Sequence, residues 1–160
     1  MKLCLTAIMK NIKSLEEKKT RILKDESNNR ITSYVSGNDK VDTGYNYDLC
    51  RKQIDKLDSE ILYLRSVLNK ANAVVKVDRT DYTISEALTR LAQLSSKLQY
   101  LSGFSTVQLS RRTTYNGLIE YTECLYSVEK VQSEIESLRE EISSLQMAID
   151  KTNLTYETQI

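Results

Sequence analysis

The chain has 160 residues, 40% of them hydrophobic and 28% charged, with ten Tyr, four Gly and no Pro, Trp or His. Its 23 basic and 22 acidic side chains leave a net charge of +1, so no general field gathers polyanions and nucleic acid is not expected as a partner. The absence of His rules out the carboxylate–histidine metal sites of helical bundles, and the scarcity of Pro and Gly predicts long uninterrupted helices.

In chain order, Leu5, Ile8, Ile12, Leu15, Ile22 and Leu23 mark an amphipathic helix over about 2–24, ended by the polar run 25–29. The apolar start is too short for a signal peptide, and no window approaches a membrane span, so a cytoplasmic protein is expected and a membrane role is not. Lys10, Lys13, Lys18, Lys19, Arg21 and Lys24 give this helix a basic face, simply solvated or turned to an acidic partner or anionic lipid. Residues 30–45 place β-branched and aromatic residues on either side of Gly37-Asn38, which predicts a β-hairpin.

A second helix over about 47–75 repeats Ile54, Leu57, Ile61, Leu64, Leu68, Ala71 and Val75 at alternating spacings of three and four, the heptad pattern of a coiled coil. After a polar turn at 77–82, Thr83 and Glu86 form a capping-box signature that opens a third helix over 83–104, with Ile84, Leu88, Leu91, Leu94, Leu98 and Leu101 on one side. Residues 113–126, with Thr114, Tyr115, Ile119, Tyr121 and Thr122, are rich in strand formers and read as extended. A fourth helix over 127–152 carries Val128, Val131, Ile135, Leu138, Ile142, Leu145 and Ile149 as a second unbroken heptad run.

The fold expected is mainly all-α: a single domain, 1–160, forming an antiparallel four-helix bundle of helical hairpins with coiled-coil seams. Up-down-up-down order brings the 30–45 and 113–126 connections to one pole, where a small β-hairpin or sheet is expected. Heptads this long also predict self-association, so a homo-oligomer is expected.

No phosphate-binding loop, dinucleotide fingerprint or nucleophile elbow is present, so no catalytic residue, cofactor or metal is assigned. Glu134, Glu136, Glu140 and Glu141 fall between heptad positions and read as a solvated flank. Cys4, Cys50 and Cys124 are odd in number and widely spaced, which fits small buried hydrophobes better than a disulfide or zinc site. The unusual count is Tyr. Tyr34, Tyr45, Tyr47, Tyr115, Tyr121 and Tyr126 belong to or border the two connections, accompanied by Arg30, Arg111 and Arg112. Tyr and Arg anchor interfaces, so these nine residues form a candidate partner-binding pole for an unknown protein; the simpler reading is that the tyrosines cap the bundle.

The start Met1-Lys2-Leu3, the block Asn69-Lys70-Ala71-Asn72, the block Tyr82-Thr83-Ile84-Ser85-Glu86-Ala87-Leu88-Thr89-Arg90 and the tail Asn153-Leu154-Thr155-Tyr156-Glu157 resemble a family of small, largely uncharacterised bacterial helical proteins, the septicolysin-like family. Where such proteins have a short acidic linker after the first helix, this chain has the longer 30–45 insertion. The resemblance implies a haemolysin-like, membrane-active alternative to a structural or interaction role, and it brings no catalytic or pore-lining residues with it.

Overall fold

A computed structural model describes residues 2–160. The chain is mainly helical, with elements in the order β1 (Lys2–Cys4), α1 (Leu5–Asn29), α2 (Tyr47–Val74), α3 (Ile84–Ser102), β2 (Leu109–Thr113), β3 (Ile119–Glu123), α4 (Val128–Thr155) and β4 (Glu157–Gln159). It divides into two compact units: the chain up to Val74 together with Asn153–Ile160, and Val75–Thr152.

In the first unit α1 and α2 form an antiparallel hairpin. Leu5, Ile8 and Ile12 of α1 are buried, as are Cys50, Ile54, Ile61 and Ala71 of α2, with Leu57, Leu64 and Leu68 half-buried between them. The spacings of three and four thus set one stripe of each helix inward. Continued along α1, the same rhythm reaches Leu15, Lys19, Ile22 and Glu26, all half-buried, so the seam turns polar toward the 30–46 connection. Lys19 pairs with Asp58 at 2.6 Å, and Glu26 pairs with Arg51. Glu16 pairs with Arg65, so partners run down α2 as they run up α1. The outer pairs, Lys19–Asp58 and Glu16–Arg65, add little stability, but together with Glu26–Arg51 they disfavour every other register.

Two expectations fail in this unit. The helix expected over 2–24 begins only at Leu5, because Lys2–Cys4 pairs antiparallel with Glu157–Gln159, Lys2 opposite Gln159 and Cys4 opposite Glu157. It also runs on through the polar run to Asn29, where Asn29 Nδ2 donates to Asp25 O at 2.9 Å and Glu26 is held from α2. Residues 30–45 hold no strand. A turn closes with Asn38 N–H donating to Val35 O at 3.0 Å. Beyond it, local bonds engage the chain: Thr43 Oγ1 donates to Asn29 O at 2.7 Å, and Asp42 Oδ1 accepts from Gly44 N–H at 2.8 Å. These local side-chain bonds offer the backbone an alternative to a strand ladder.

In the second unit Val77–Tyr82 folds back on itself, Val77 N–H donating to Tyr82 O at 2.9 Å and Ile84 N–H to Val75 O at 2.9 Å. The expected capping box is present: Thr83 N–H donates to Glu86 Oε2 at 2.8 Å and Glu86 N–H to Thr83 Oγ1 at 3.3 Å. α3 and α4 are tied in antiparallel register by Arg90–Glu141 at 2.9 Å and, one heptad further, Lys97–Glu134 at 2.5 Å. Two carboxylates of the acidic cluster thus belong to this pairing. Ile84, Ala87, Leu94 and Leu101 are buried on α3, and Val131, Ile135, Leu138, Leu145 and Ile149 on α4. The seam of α3 runs through Ala87, and Leu88, expected inside, is exposed. Heptad phase decides which residue turns inward, whatever the size of the side chain. Of the cysteines only Cys50 is buried; Cys4 and Cys124 are half-buried, and all three are free thiols.

Truncating a seam residue removes packing that the rest of the hairpin cannot refill. Leu94→Ala or Ile135→Ala is expected to destabilise the fold by about 3 kcal/mol, whereas Leu88→Ala changes it by less than about 1 kcal/mol. Urea unfolding followed by circular dichroism measures both.

Candidate interaction surface

The nine Tyr and Arg residues of the expected pole fall in both units. In the first unit Arg30, Tyr34, Tyr45 and Tyr47 lie around the connection between α1 and α2. Arg30 closes α1, its N–H donating to Glu26 O at 2.9 Å. Tyr45 Oη donates to Glu26 Oε1 at 2.8 Å, and the Arg51 guanidinium lies over the Tyr47 ring at 5.3 Å. Tyr45, Glu26 and Arg51 therefore form a clasp that fastens the end of the connection to α1, and Tyr45 serves structure, whereas Tyr47 offers one ring face to Arg51 and is otherwise exposed. Tyr34 is exposed within the connection.

In the second unit the helical hairpin passes into a β-hairpin through a small set of contacts. Phe104 packs against Tyr100 at 5.3 Å and Tyr126 at 4.8 Å between ring centroids. Tyr126 Oη accepts from Ser105 N–H at 2.7 Å. Gln108 joins both strands of the transition, its Nε2 donating to Cys124 O at 2.7 Å and its Oε1 accepting from Val128 N–H at the start of α4, 3.1 Å away. Tyr126 is thus a structural residue too.

Beyond this joint, β2 and β3 pair antiparallel, with Leu109 opposite Glu123, Arg111 opposite Tyr121 and Thr113 opposite Ile119. The turn is a three-residue loop. Gly117 N–H donates to Thr114 O at 2.9 Å, Thr114 N–H donates to Leu118 O at 2.7 Å, and Gly117 takes φ 74°, the left-handed position that favours glycine. The sequence signal for it was Asn116-Gly117 between two runs of strand formers. The expected extended segment 113–126 thus becomes a hairpin shifted toward the N-terminus, with strands at Leu109–Thr113 and Ile119–Glu123.

Alternation assigns the side chains to two faces. One carries Leu109, Arg111, Thr113, Ile119, Tyr121 and Glu123. The other carries Ser110 and Thr122, with Arg112 paired to Glu120. Every residue of both strands is exposed. Val107, Leu109, Leu118, Ile119 and Tyr121 are all exposed large hydrophobics, and Tyr115 and Leu125 reach 104% and 100% of full exposure. Of the nine pole residues, the tip thus presents Arg111, Arg112, Tyr115 and Tyr121. The aliphatic residues around them carry no distinctive sequence signal, because strand formers look alike whether or not they end up covered.

At the far end of this unit, a cleft of about 460 Å³ is lined by Arg79, Tyr82, Arg90, Glu141, Met147 and Lys151 among others. Its charges are engaged with one another: Arg90 with Glu141, and Lys151 Nζ with Asp78 Oδ2 at 2.6 Å. Among the described residues no group of three potential metal ligands occurs, and no helix is long and apolar enough to cross a membrane.

Against known proteins, the chain is similar in fold to the crystal structure of a functionally unknown conserved protein from Corynebacterium diphtheriae, with a TM-score of 0.70 and 15% sequence identity over 99% of this chain and 100% of the other. No family model matches the sequence. No curated protein matches it.

The clasp makes stability depend on pH. The Tyr45 hydroxyl first, and then Arg51, hold the Glu26 carboxyl below its ordinary 4.5, against some desolvation. A lowered folded-state pKa gives stability that is present above the ordinary value and is lost as pH falls through the lowered one. The backbone N–H of Thr83 lowers Glu86 in the same way, and Lys151 lowers Asp78. Thermal melts are expected to fall as pH drops below 4.5, and Glu26→Gln is expected to melt lower at neutral pH with a shallower acid decline.

Proposed function

We propose that this chain is a non-enzymatic interaction protein that self-associates and docks a protein partner through the β2–β3 tip. The observation that carries this reading is the exposure of large apolar side chains from Val107 to Leu125 around Arg111 and Tyr121. Large apolar side chains left exposed together on one short element mark interaction sites, and Tyr with Arg is the composition of binding hot spots. The heptads support a narrower role than free helices would have, since their inward stripes are filled within each hairpin. Self-association then falls to other surfaces. The Tyr34 side of the first connection is a secondary contact region, less anchored than the tip.

A haemolysin-like, membrane-active protein is the second reading, and it draws on the same exposed Tyr115, Leu118 and Leu125. An apolar tip with flanking arginines also suits insertion into an interface.

Replacing Tyr115, Tyr121 and Leu125 together by Ser is expected to abolish capture of a partner from cell extract, with helicity unchanged. Each hot-spot side chain is worth about 2 kcal/mol, or about 30-fold in affinity. Retained capture overturns the docking role. Dye release from anionic vesicles at the same protein concentration, lost in the triple variant, turns the assignment to the membrane-active reading.

A further inference from the structure

The tip is a sheet of only two strands with both long edges bare. The two hydrogen bonds at its ends settle which backbone groups face outward. Cys124 N–H donates to Gln108 O, and Thr114 N–H to Leu118 O. Bonded and non-bonded pairs alternate along an antiparallel ladder. Leu109, Arg111 and Thr113 therefore turn their amides and carbonyls away from β3, and Ile119, Tyr121 and Glu123 turn theirs away from β2.

The two edges differ in what they admit. Centred on Arg111, the register that bonds all three outward-facing residues of β2, a second copy paired about a twofold axis sets Arg111 against its own counterpart, a like-charge opposition that disfavours pairing. The β3 edge has no such conflict. Centred on Tyr121, it sets Tyr121 against Tyr121 of the second copy, Ile119 against Glu123, and Glu120 against Thr122. Both outward-facing groups of residues 119, 121 and 123 are then bonded.

From this geometry we infer that two copies of the chain join their β3 edges antiparallel about Tyr121, forming one four-stranded sheet; this rests on the reading of the tip as a docking element. One face of that sheet has a central row of Arg111, Tyr121, Tyr121 and Arg111, with the aromatic pair between two cations. On the other face each Glu120 keeps Arg112 of its own chain. Four strands with an aromatic row meet the requirement for sheet stability that two bare strands do not. The twofold operation closes the assembly at a dimer, with the Arg-bearing β2 strands left at the rims.

The test places single thiols on each edge of the full chain, with Cys4 and Cys124 replaced by Ser and buried Cys50 retained. A short bifunctional thiol cross-linker is expected to join Tyr121→Cys into dimers at least ten times faster than Arg111→Cys. Equal rates, or faster linking at Arg111→Cys, overturn the register. Because the cysteine at 121 removes the aromatic pair, a second variant keeps it. Glu123→Pro deletes an outward N–H and leaves the β2–β3 ladder bonded. It is expected to raise the dimer dissociation constant at least tenfold in sedimentation equilibrium, with the circular dichroism spectrum unchanged. An unmodified chain that sediments as a monomer at high micromolar concentration overturns the pairing; if the triple Ser variant still loses partner capture, the docking role of the tip stands without it.

Discussion

The phase of the heptads governs this structure. Each long helix turns one stripe inward at spacings of three and four, and each stripe meets its counterpart on the neighbouring antiparallel helix. Where the stripe is aliphatic it supplies burial. Where it carries Lys19 and Glu26, it supplies register, because a charged side chain in a seam has few acceptable opposites. The first hairpin therefore grades from an apolar half to a polar half that ends at the clasp of Glu26, Arg51 and Tyr45.

The second hairpin solves a different problem, the conversion of a pair of helices into a pair of strands without losing register. Packed helices stand about 10 Å apart and strands about 5 Å apart, so the chains must converge between Ser102 and Leu109 and diverge again after Glu123. Phe104, packed between Tyr100 and Tyr126, fills the tapering space. Gln108 satisfies the Cys124 carbonyl just past β3 with one end of its amide and the N-terminus of α4 with the other, so neither backbone group is stranded at the joint. The result is a ribbon held firmly at its base and bare along its length.

The helices were legible in the sequence because periodicity over several heptads is a repeated signal, and Thr83 with Glu86 fixed one boundary almost to the residue. The β elements were not equally legible. Residues 30–45 and 113–126 have similar compositions, but the second connection closes on Asn116-Gly117 in a three-residue loop that sets its strands in register, whereas side-chain bonds at Asp42 and Thr43 engage the first locally. The ribbon of Lys2–Cys4 with Glu157–Gln159 left no local trace, since its two strands lie at opposite ends of the sequence. The site was half legible. The tyrosines cluster at both connections, but composition does not separate Tyr45 and Tyr126, which brace the fold, from Tyr115 and Tyr121, which face outward. That division depends on partners such as Glu26 and Ser105, which are remote in sequence.

The constant pairing of α3 with α4 has a consequence for reach. Arg90 and Lys97 meet Glu141 and Glu134 one heptad apart in each direction, so matched insertions of seven residues in both helices preserve every inward stripe and the joint at Gln108. Each such insertion lengthens the arm by about 10 Å at 1.5 Å per residue. The distance from base to tip is thus an adjustable dimension, one that can change in steps of a heptad without redesigning either end.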